Sequence, residues 1–163
     1  EDFQSLELLP RMLRDVSSLD TELELFGCNS STPILVAPMA FQRLAHREGE
    51  LATSRAAAIF RTIMIASTLS THSLEEIKAV NDRDMWFQLY VYKDKGITRN
   101  LLARAKSAGY KAIVVTVDSP VLGKREKDIK NRFNLPPGLE IKNLLDQNLE
   151  YFPDCQDNSG LAR

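Results

Sequence analysis

The stretch "KAIVVTVDSPVLGKRE", residues 111–126, decides the fold. Its first half is a run of β-branched and apolar residues that ends in Asp118. Its second half turns at Ser119-Pro120, passes Gly123 and arrives at two adjacent cations, Lys124 and Arg125. A strand that is apolar on both faces belongs to a parallel sheet covered by helices rather than to a sheet with one wet face. A chain that leaves such a strand through an aspartate and comes directly to Lys124 and Arg125 is either entering a solvated loop or building a site. Parallel α/β folds place their sites at the carboxyl ends of strands.

The same signal recurs upstream. "PILVAPMA" (33–40), "TIMIAST" (62–68) and "MWFQLYVY" (85–92) are further apolar runs of strand length. Between them lie segments with helical spacing of their apolar positions. "HREGELATSRAAAIF" (46–60) is rich in good helix formers. "SLEEIKAV" (73–80) opens on Ser73 with Glu76 three residues later, the pattern of a capping box. "ITRNLLARAKSAGY" (97–110) puts Leu101, Leu102 and Ala105 on one face and ends at Gly109. The order is β-α-β-α-β-α-β, which leaves an open doubly wound sheet or a closed (β/α)8 barrel. No G-x-G-x-x-G follows the first strand, so a dinucleotide fold has no support. Ahead of this rhythm, "TELELFGCNSSTP" (21–33) alternates and then breaks at Gly27 and Asn29, as a short antiparallel ribbon would. The first twenty residues are mixed and interrupted by Pro10. After Asp118 no further βα unit is legible, and residues 119–163 are long for a loop. The chain ends on "DNSGLAR" without a capping element, so it reads as a piece of something longer, one partial domain over residues 1–163.

Composition narrows the functional classes. The 163 residues are 44% hydrophobic, enough for one domain with a real core. The net charge of −1 carries no basic stripe for nucleic acid. No run approaches the roughly 18 apolar residues of a membrane span. The acidic opening "EDFQSLELL" shows no secretory signal. Cys28 and Cys155 stand far apart in different contexts, which makes neither a disulfide framework nor a zinc site, and an intracellular, reducing compartment is expected.

Propensity leaves unexplained a set of polar residues near the strand ends: Ser67, Gln88, Tyr90 and Thr116. A serine or threonine in a strand is usually structural. Gln88 is the sharper signal, because a buried amide left unpaired costs about 1–3 kcal/mol. Tyr90 and Tyr92 alternate with Val91 and share a face, so one of them can be simple packing. Polar residues in successive units make a constellation where each alone would not.

The stretches "ILVAPMAFQRLAHREGELATSRAAA", "STLSTHSLEEI", "WFQLYVYKD", "GYKAIVVTVDSPVLGKRE" and "IKNRFNLPPGL" resemble the flavin-dependent 2-hydroxy-acid oxidases, the family of glycolate oxidase and L-lactate oxidase. The resemblance covers roughly residues 9–161 and implies a (β/α)8 barrel with FMN at its carboxyl mouth, of which this chain is the first four β/α units. It implies that the backbone of Pro38, Met39 and Ala40 lies along the flavin, that Ser67 and Gln88 meet its pyrimidine edge and N5 region, and that Thr116 contacts the ring. It further implies that Tyr90 touches the substrate and that Arg125 clamps its carboxylate, a task suited to a planar guanidinium fork. From composition alone Lys124 and Arg125 remain a solvated pair; the resemblance favours the clamp. His46 and His72 do not match the family's base, which lies in an "SNHGGRQ"-like motif that these residues do not contain. The second carboxylate-binding arginine, the lysine near flavin N1, a further substrate tyrosine and the phosphate cradle are likewise not among them. No metal site is expected. The implied activity is oxidation of a small (S)-2-hydroxy acid to the 2-oxo acid with O2 as acceptor, the alternative being an inactive half-barrel that binds flavin weakly or only self-associates. A homo-oligomer is expected, tetrameric at full length or edge-driven if truncated, in a peroxisome if the source is eukaryotic and otherwise in cytoplasm. Two local departures from the family pattern stand out. Arg47 replaces a frequent proline, and Phe60-Arg61 replaces a small residue followed by glycine, which weakens the turn by about 1 kcal/mol if its backbone needs positive φ.

Overall fold

The computed structural model describes residues 2–118 and 124–145. A two-residue hairpin joins β1 (Leu23–Leu25) to β2 (Cys28–Ser30), antiparallel with Leu25 opposite Cys28. Its turn residues Phe26 and Gly27 both have positive φ, 50° and 74°, the geometry that matches the twist of paired strands. Phe26 carries a side chain where Asn or Gly is usual, and its ring packs edge-on against Trp86 at 5.6 Å.

The sheet proper is β3 (Met64–Ala66), β4 (Met85–Leu89) and β5 (Ala112–Val115), parallel and in that order. The helices between them are α2 (Leu74–Ala79) and α3 (Lys95–Ala108), with α1 (Gly49–Ile59) ahead of β3. Ser73 and Glu76 form the expected capping box at α2, and Gly109 ends α3 at φ 88°. Leu101 and Ala105 of α3 are buried, and Leu102 is partly buried against the same core. A short α4 (Glu126–Asn131) lies in the stretch beyond Asp118.

The first expected strand, residues 33–40, is not a strand. It makes one parallel bridge, Val36 to Met64, in which Val36 N–H donates to Ile63 O and Ile65 N–H donates to Val36 O, both at 3.0 Å. The next donor a parallel ladder would require is the nitrogen of residue 38, which is a proline and has no N–H. The run therefore lies beside β3 through that single bridge and does not extend into a strand.

Alternation sorts the side chains between two faces. Met64, Ala66, Met85, Phe87 and Leu89 face the helices in one cluster with Leu74, Ile77, Leu101 and Ala105. Ile65, Trp86, Ala112 and Val114 face the other way, where Cys28, Ile63 and Leu35 join them. The hairpin covers this second face near the amino ends: the Trp86 indole N–H donates to Cys28 Sγ at 3.3 Å. Strand β4 is buried on both faces, as expected of a central parallel strand, but β5 is not. Its residues Ile113 and Val115 are exposed, because no helix covers that side of β5 among the described residues. The sheet is accordingly a partial parallel α/β sheet and is not closed into a barrel.

The turn from α1 to β3 has the geometry that the sequence puts in question. Thr62 N–H donates to Ala57 O and Arg61 N–H to Ala58 O, the paired bonds of a Schellman motif, with Arg61 at φ 54°. An L-residue with a side chain in this region costs about 1–2 kcal/mol. Against that, Arg61 makes an exposed ion pair with Glu22 at 3.0 Å, worth about 0–1 kcal/mol. Arg61→Gly is therefore expected to stabilise the chain by about 0.5–1 kcal/mol, a rise in Tm of roughly 1–4 °C. A thermal melt showing a lower Tm would mean that the turn carries no strain.

Candidate functional site

The parallel register sets Ala66 beside Phe87 and Gln88 beside Val114, so the next residues on these strands continue the rows at the carboxyl ends. Ser67 follows Ile65, Gln88 follows Trp86, and Thr116 follows Val114, each on the face turned away from the helices. Gln88, level with Val114, thus stands above the apolar row of Ile65, Trp86 and Ala112, with Ser67 beside it at the end of β3 and Thr116 one step further along, diagonal to it.

They are joined by hydrogen bonds. Gln88 Nε2 donates to Thr116 Oγ1 at 2.7 Å. Gln88 Oε1 accepts from Thr68 N–H at 3.2 Å and from Ser67 Oγ at 3.4 Å. The fixed backbone donor decides which way the amide points. Thr68 Oγ1 also donates to the Gln88 carbonyl at 2.6 Å, and Ser67 Oγ accepts from Leu69 N–H at 3.1 Å. Thr68 is a member of this row that the sequence reading missed, since a threonine at a strand end carries no signal of its own.

Tyr90 follows directly after β4, in phase with Gln88, and is half-buried. Pro38 and Met39 are exposed and Ala40 is half-buried, just beyond the Val36 bridge. This segment is held at both ends, by that bridge and by Phe41 N–H donating to Leu69 O at 3.2 Å. Arg125 stands apart from the row. It occupies the residue before α4, its side chain is exposed, and its guanidinium lies 3.9 Å from the Asp128 carboxylate. Ser119, Pro120 and Gly123, the residues expected to bring it back over the mouth, lie outside the described residues, as does Cys155.

Behind the mouth sits a buried carboxylate that sequence reasoning did not find. Glu50 is fully buried and accepts four hydrogen bonds: from Gln42 N–H (3.1 Å), Thr71 N–H (2.9 Å), Thr71 Oγ1 (2.7 Å) and His72 Nδ1 (2.9 Å). Helix α1 delivers it by burying Glu50, Ser54 and Ala57, a stripe at helical spacing that is polar and small. That stripe was the available signal, obscured because a buried helix face is expected to be apolar. Gly49 permits the approach: at φ 45°, a Cβ there would fall 2.7 Å from Arg43 Cγ and 3.0 Å from Arg43 N. His46 is structural, its Nδ1 accepting from Glu48 N–H at 3.2 Å. A second anchor is Asn143, also buried, which accepts from Leu74 N–H and donates to Ser67 O and Thr68 O, so the segment after α4 supports the row from below. Arg104 reinforces it, pairing with both Glu75 oxygens at 2.7 and 2.9 Å and donating to Asn143 O. The surface cleft beside the hairpin lies away from these residues, and the one between α2 and α3 is lined by Glu75 and Arg104 but by none of Ser67, Gln88, Thr116 and Glu50. Among the described residues no cluster of His, Cys, Asp and Glu could hold a metal, and no helix is long and apolar enough to cross a membrane.

Burial acts to raise the Glu50 pKa, but the bonds from Thr71 and His72 outweigh it and hold the carboxyl below its ordinary value of 4.5. A depressed folded pKa contributes stability that is present above the unfolded value and is lost as pH falls through the folded one. Between pH 5 and 3, wild-type stability is expected to fall more steeply than that of Glu50→Gln, which should be weaker by about 1–3 kcal/mol at pH 7. Parallel urea midpoints for the two proteins across that range would show Glu50 not to be charged in the fold.

The sequence matches the model of the family described as FMN-dependent dehydrogenase over residues 1–157. It is 51% identical to L-lactate oxidase of Nostoc sp. over 98% of this chain and 45% of that one. It is 51% identical to glycolate oxidase 3 of Oryza sativa subsp. indica over 99% of this chain and 44% of that one. Among solved structures, mandelate oxidase with (S)-4-hydroxymandelic acid superposes with a TM-score of 0.80 at 46% identity, over 84% of this chain and 38% of that one. A mandelate oxidase variant solved with an FMN adduct superposes at 0.79 and 46% identity, over 83% of this chain and 41% of that one. The chain thus spans less than half the length of the relatives it matches. A family match over nearly all of the sequence, with the same backbone path in solved relatives, makes this chain a member of the FMN-dependent dehydrogenase family, whose relatives here are named lactate, glycolate and mandelate oxidases.

Proposed function

We propose that this chain is one partial domain, the first four β/α units of a (β/α)8 barrel that oxidises a small (S)-2-hydroxy acid of the glycolate or L-lactate class to the 2-oxo acid. O2 is the proposed acceptor, giving H2O2, a reading supported by relatives named oxidases. The observation that carries the proposal is the hydrogen-bonded row of Ser67, Gln88 and Thr116 at the carboxyl ends, beside the open segment Pro38–Met39–Ala40. The family's cofactor is FMN. The donor set suits it: hydroxyls and an amide in one row offer the mixed donors and acceptors that a pyrimidine edge requires. Pro38, Met39 and Ala40 supply an apolar floor for the ring, with Met39 57% exposed and available to be covered. When bound, FMN supplies the two-electron acceptor for the substrate's α-hydrogen.

Tyr90 and Arg125 are the proposed substrate contacts. The Arg125–Asp128 pair is long and exposed, so exchanging Asp128 for a substrate carboxylate costs about 0–1 kcal/mol. Neither histidine of the chain is placed as a base: His72 is tied to Glu50 and His46 to the turn before α1. The base is proposed to come from outside these residues, and so is the phosphate cradle. A peroxisomal setting in a eukaryote, or cytoplasm otherwise, is part of the same reading and rests on the resemblance to glycolate oxidases.

The test is stopped-flow bleaching of flavin absorbance by excess glycolate or L-lactate. The 163-residue chain alone is expected not to turn over, since a positioned base contributes about 10²–10⁴-fold. The chain fused to the carboxyl-terminal part of a homologous oxidase is expected to bind FMN and bleach. In that fusion Arg125→Met should raise KM about 10- to 100-fold, the loss of a charge-assisted pair worth about 1.5–3 kcal/mol. Bleaching by the 163 residues alone at the fusion's rate would overturn the reading.

One observation favours a second behaviour of the isolated chain. Among the described residues β5 pairs only with β4 and leaves Ile113, Val115 and Val117 exposed, and an edge of that kind favours association. Dimers or larger species are expected in sedimentation at micromolar concentration; a clean monomer would exclude edge-driven association.

A further inference from the structure

We infer that Glu50 is a positioning residue which sets the distance between the two loops of the mouth, one carrying Pro38–Met39–Ala40 and the other carrying Ser67. The inference rests on the flavin-site reading for its consequence, but the cross-link itself is a matter of geometry. The first loop leaves Ala40 through Phe41, at φ 56°, into the turn Gln42–Leu44. The second leaves Ser67 through Thr68 and Leu69 to Thr71 and His72. Glu50 Oε1 accepts the backbone N–H of Gln42 from the first loop and that of Thr71 from the second. One carboxylate oxygen therefore holds one backbone amide from each side.

The other oxygen extends the link. Glu50 Oε2 accepts from Thr71 Oγ1, and Thr71 Oγ1 in turn accepts from Arg43 N–H at 3.4 Å, again across the two loops. His72 Nδ1 closes the set at 2.9 Å. Around this hub, Phe41 N–H reaches Leu69 O, and Gln42 Oε1 accepts from Thr53 Oγ1 on the same helix as Glu50. Neutral side chains cannot substitute. A primary amide has only one acceptor oxygen, and its NH2 would face donors. Fully buried, a carboxylate is retained only with such a complement of donors. Its partners Gln42, two residues after Ala40, and Thr71, four residues after Ser67, make it the shared support of floor and polar row.

The experiment is residue-resolved amide hydrogen exchange on the 163-residue chain, comparing wild type, Glu50→Gln and Thr71→Val. In Glu50→Gln, protection at Gln42 and Thr71 is expected to fall together by 10-fold or more, beyond any common fall in the interior of α3. In Thr71→Val, which removes the hydroxyl that donates to Glu50 and accepts from Arg43 N–H, exchange at Gln42 is expected to rise as well. Thr71→Val carries the test if Glu50→Gln does not fold. A uniform fall at all amides, or a loss confined to Thr71, would overturn the cross-link. The functional arm is FMN titration of the fused barrel by flavin fluorescence. Glu50→Gln should weaken binding about 10-fold, and Glu50→Asp should recover part of it. Coupled exchange with unchanged FMN affinity would overturn the positioning role. Failure of the unsubstituted fusion to bind FMN would instead overturn the flavin-site reading, and the role that rests on it, leaving the cross-link to be decided by exchange.

Discussion

A primary amide buried on the central strand of a parallel sheet has two donors and one acceptor to satisfy, with no water at hand. Gln88 is that group, and the arrangement of the mouth follows from its needs. Its oxygen takes the Thr68 N–H and its nitrogen gives to Thr116, so β3 and β5 are tied to β4 through one side chain above the last apolar row. An apolar residue at position 88 would leave the strands paired but give no reason for Ser67, Thr68 and Thr116 to converge. The cost of leaving such a group unpaired, about 1–3 kcal/mol, is also what makes the convergence specific.

Around this row the structure repeats one solution: buried polar groups met by backbone and side-chain groups of neighbouring loops. Glu50 takes four donors from two loops, and Asn143 takes Leu74 N–H while giving to the Ser67 and Thr68 carbonyls. Loops that carry a site must hold their shape without a ladder, and side-chain acceptors aimed at their amides do this at little cost in area. The loops here are therefore stiffened from beneath, while Pro38 and Met39 remain exposed.

The apolar side of the sheet is unevenly finished. Strand β4 is buried on both faces and its helix-facing residues sit in the main core, while β5 leaves Ile113 and Val115 open. The hairpin covers the opposite face only near its amino end, through Cys28 and Phe26 against Trp86. Among the described residues this is a partial parallel α/β sheet, with the hairpin over one end, polar side chains at the other and exposed apolar side chains on β5. This agrees with the share of the relatives' length that the chain spans.

Much of this was legible in the residues. The alternation of apolar runs with helical segments, the capping box at Ser73, the stop at Gly109 and the strained turn at Arg61 are local matters, decided by propensity, hydrogen-bond inventory and φ, and each lies where the sequence indicates. The family resemblance was legible too, because it rests on motifs spread over the whole chain. What the sequence did not determine depends on contacts between distant segments. Residues 33–40 read as a strand, yet Pro38 falls at the position whose N–H the ladder needs, a fact of register with β3 rather than of local preference. Glu50 reads as one more charge on a helix, and only packing of α1 against two loops turns it inward to meet Gln42, Thr71 and His72. Asn143 is an ordinary loop residue until the fold brings it under Ser67, 76 positions away. Burial of a polar group is a property of its partners, and partners are chosen in three dimensions.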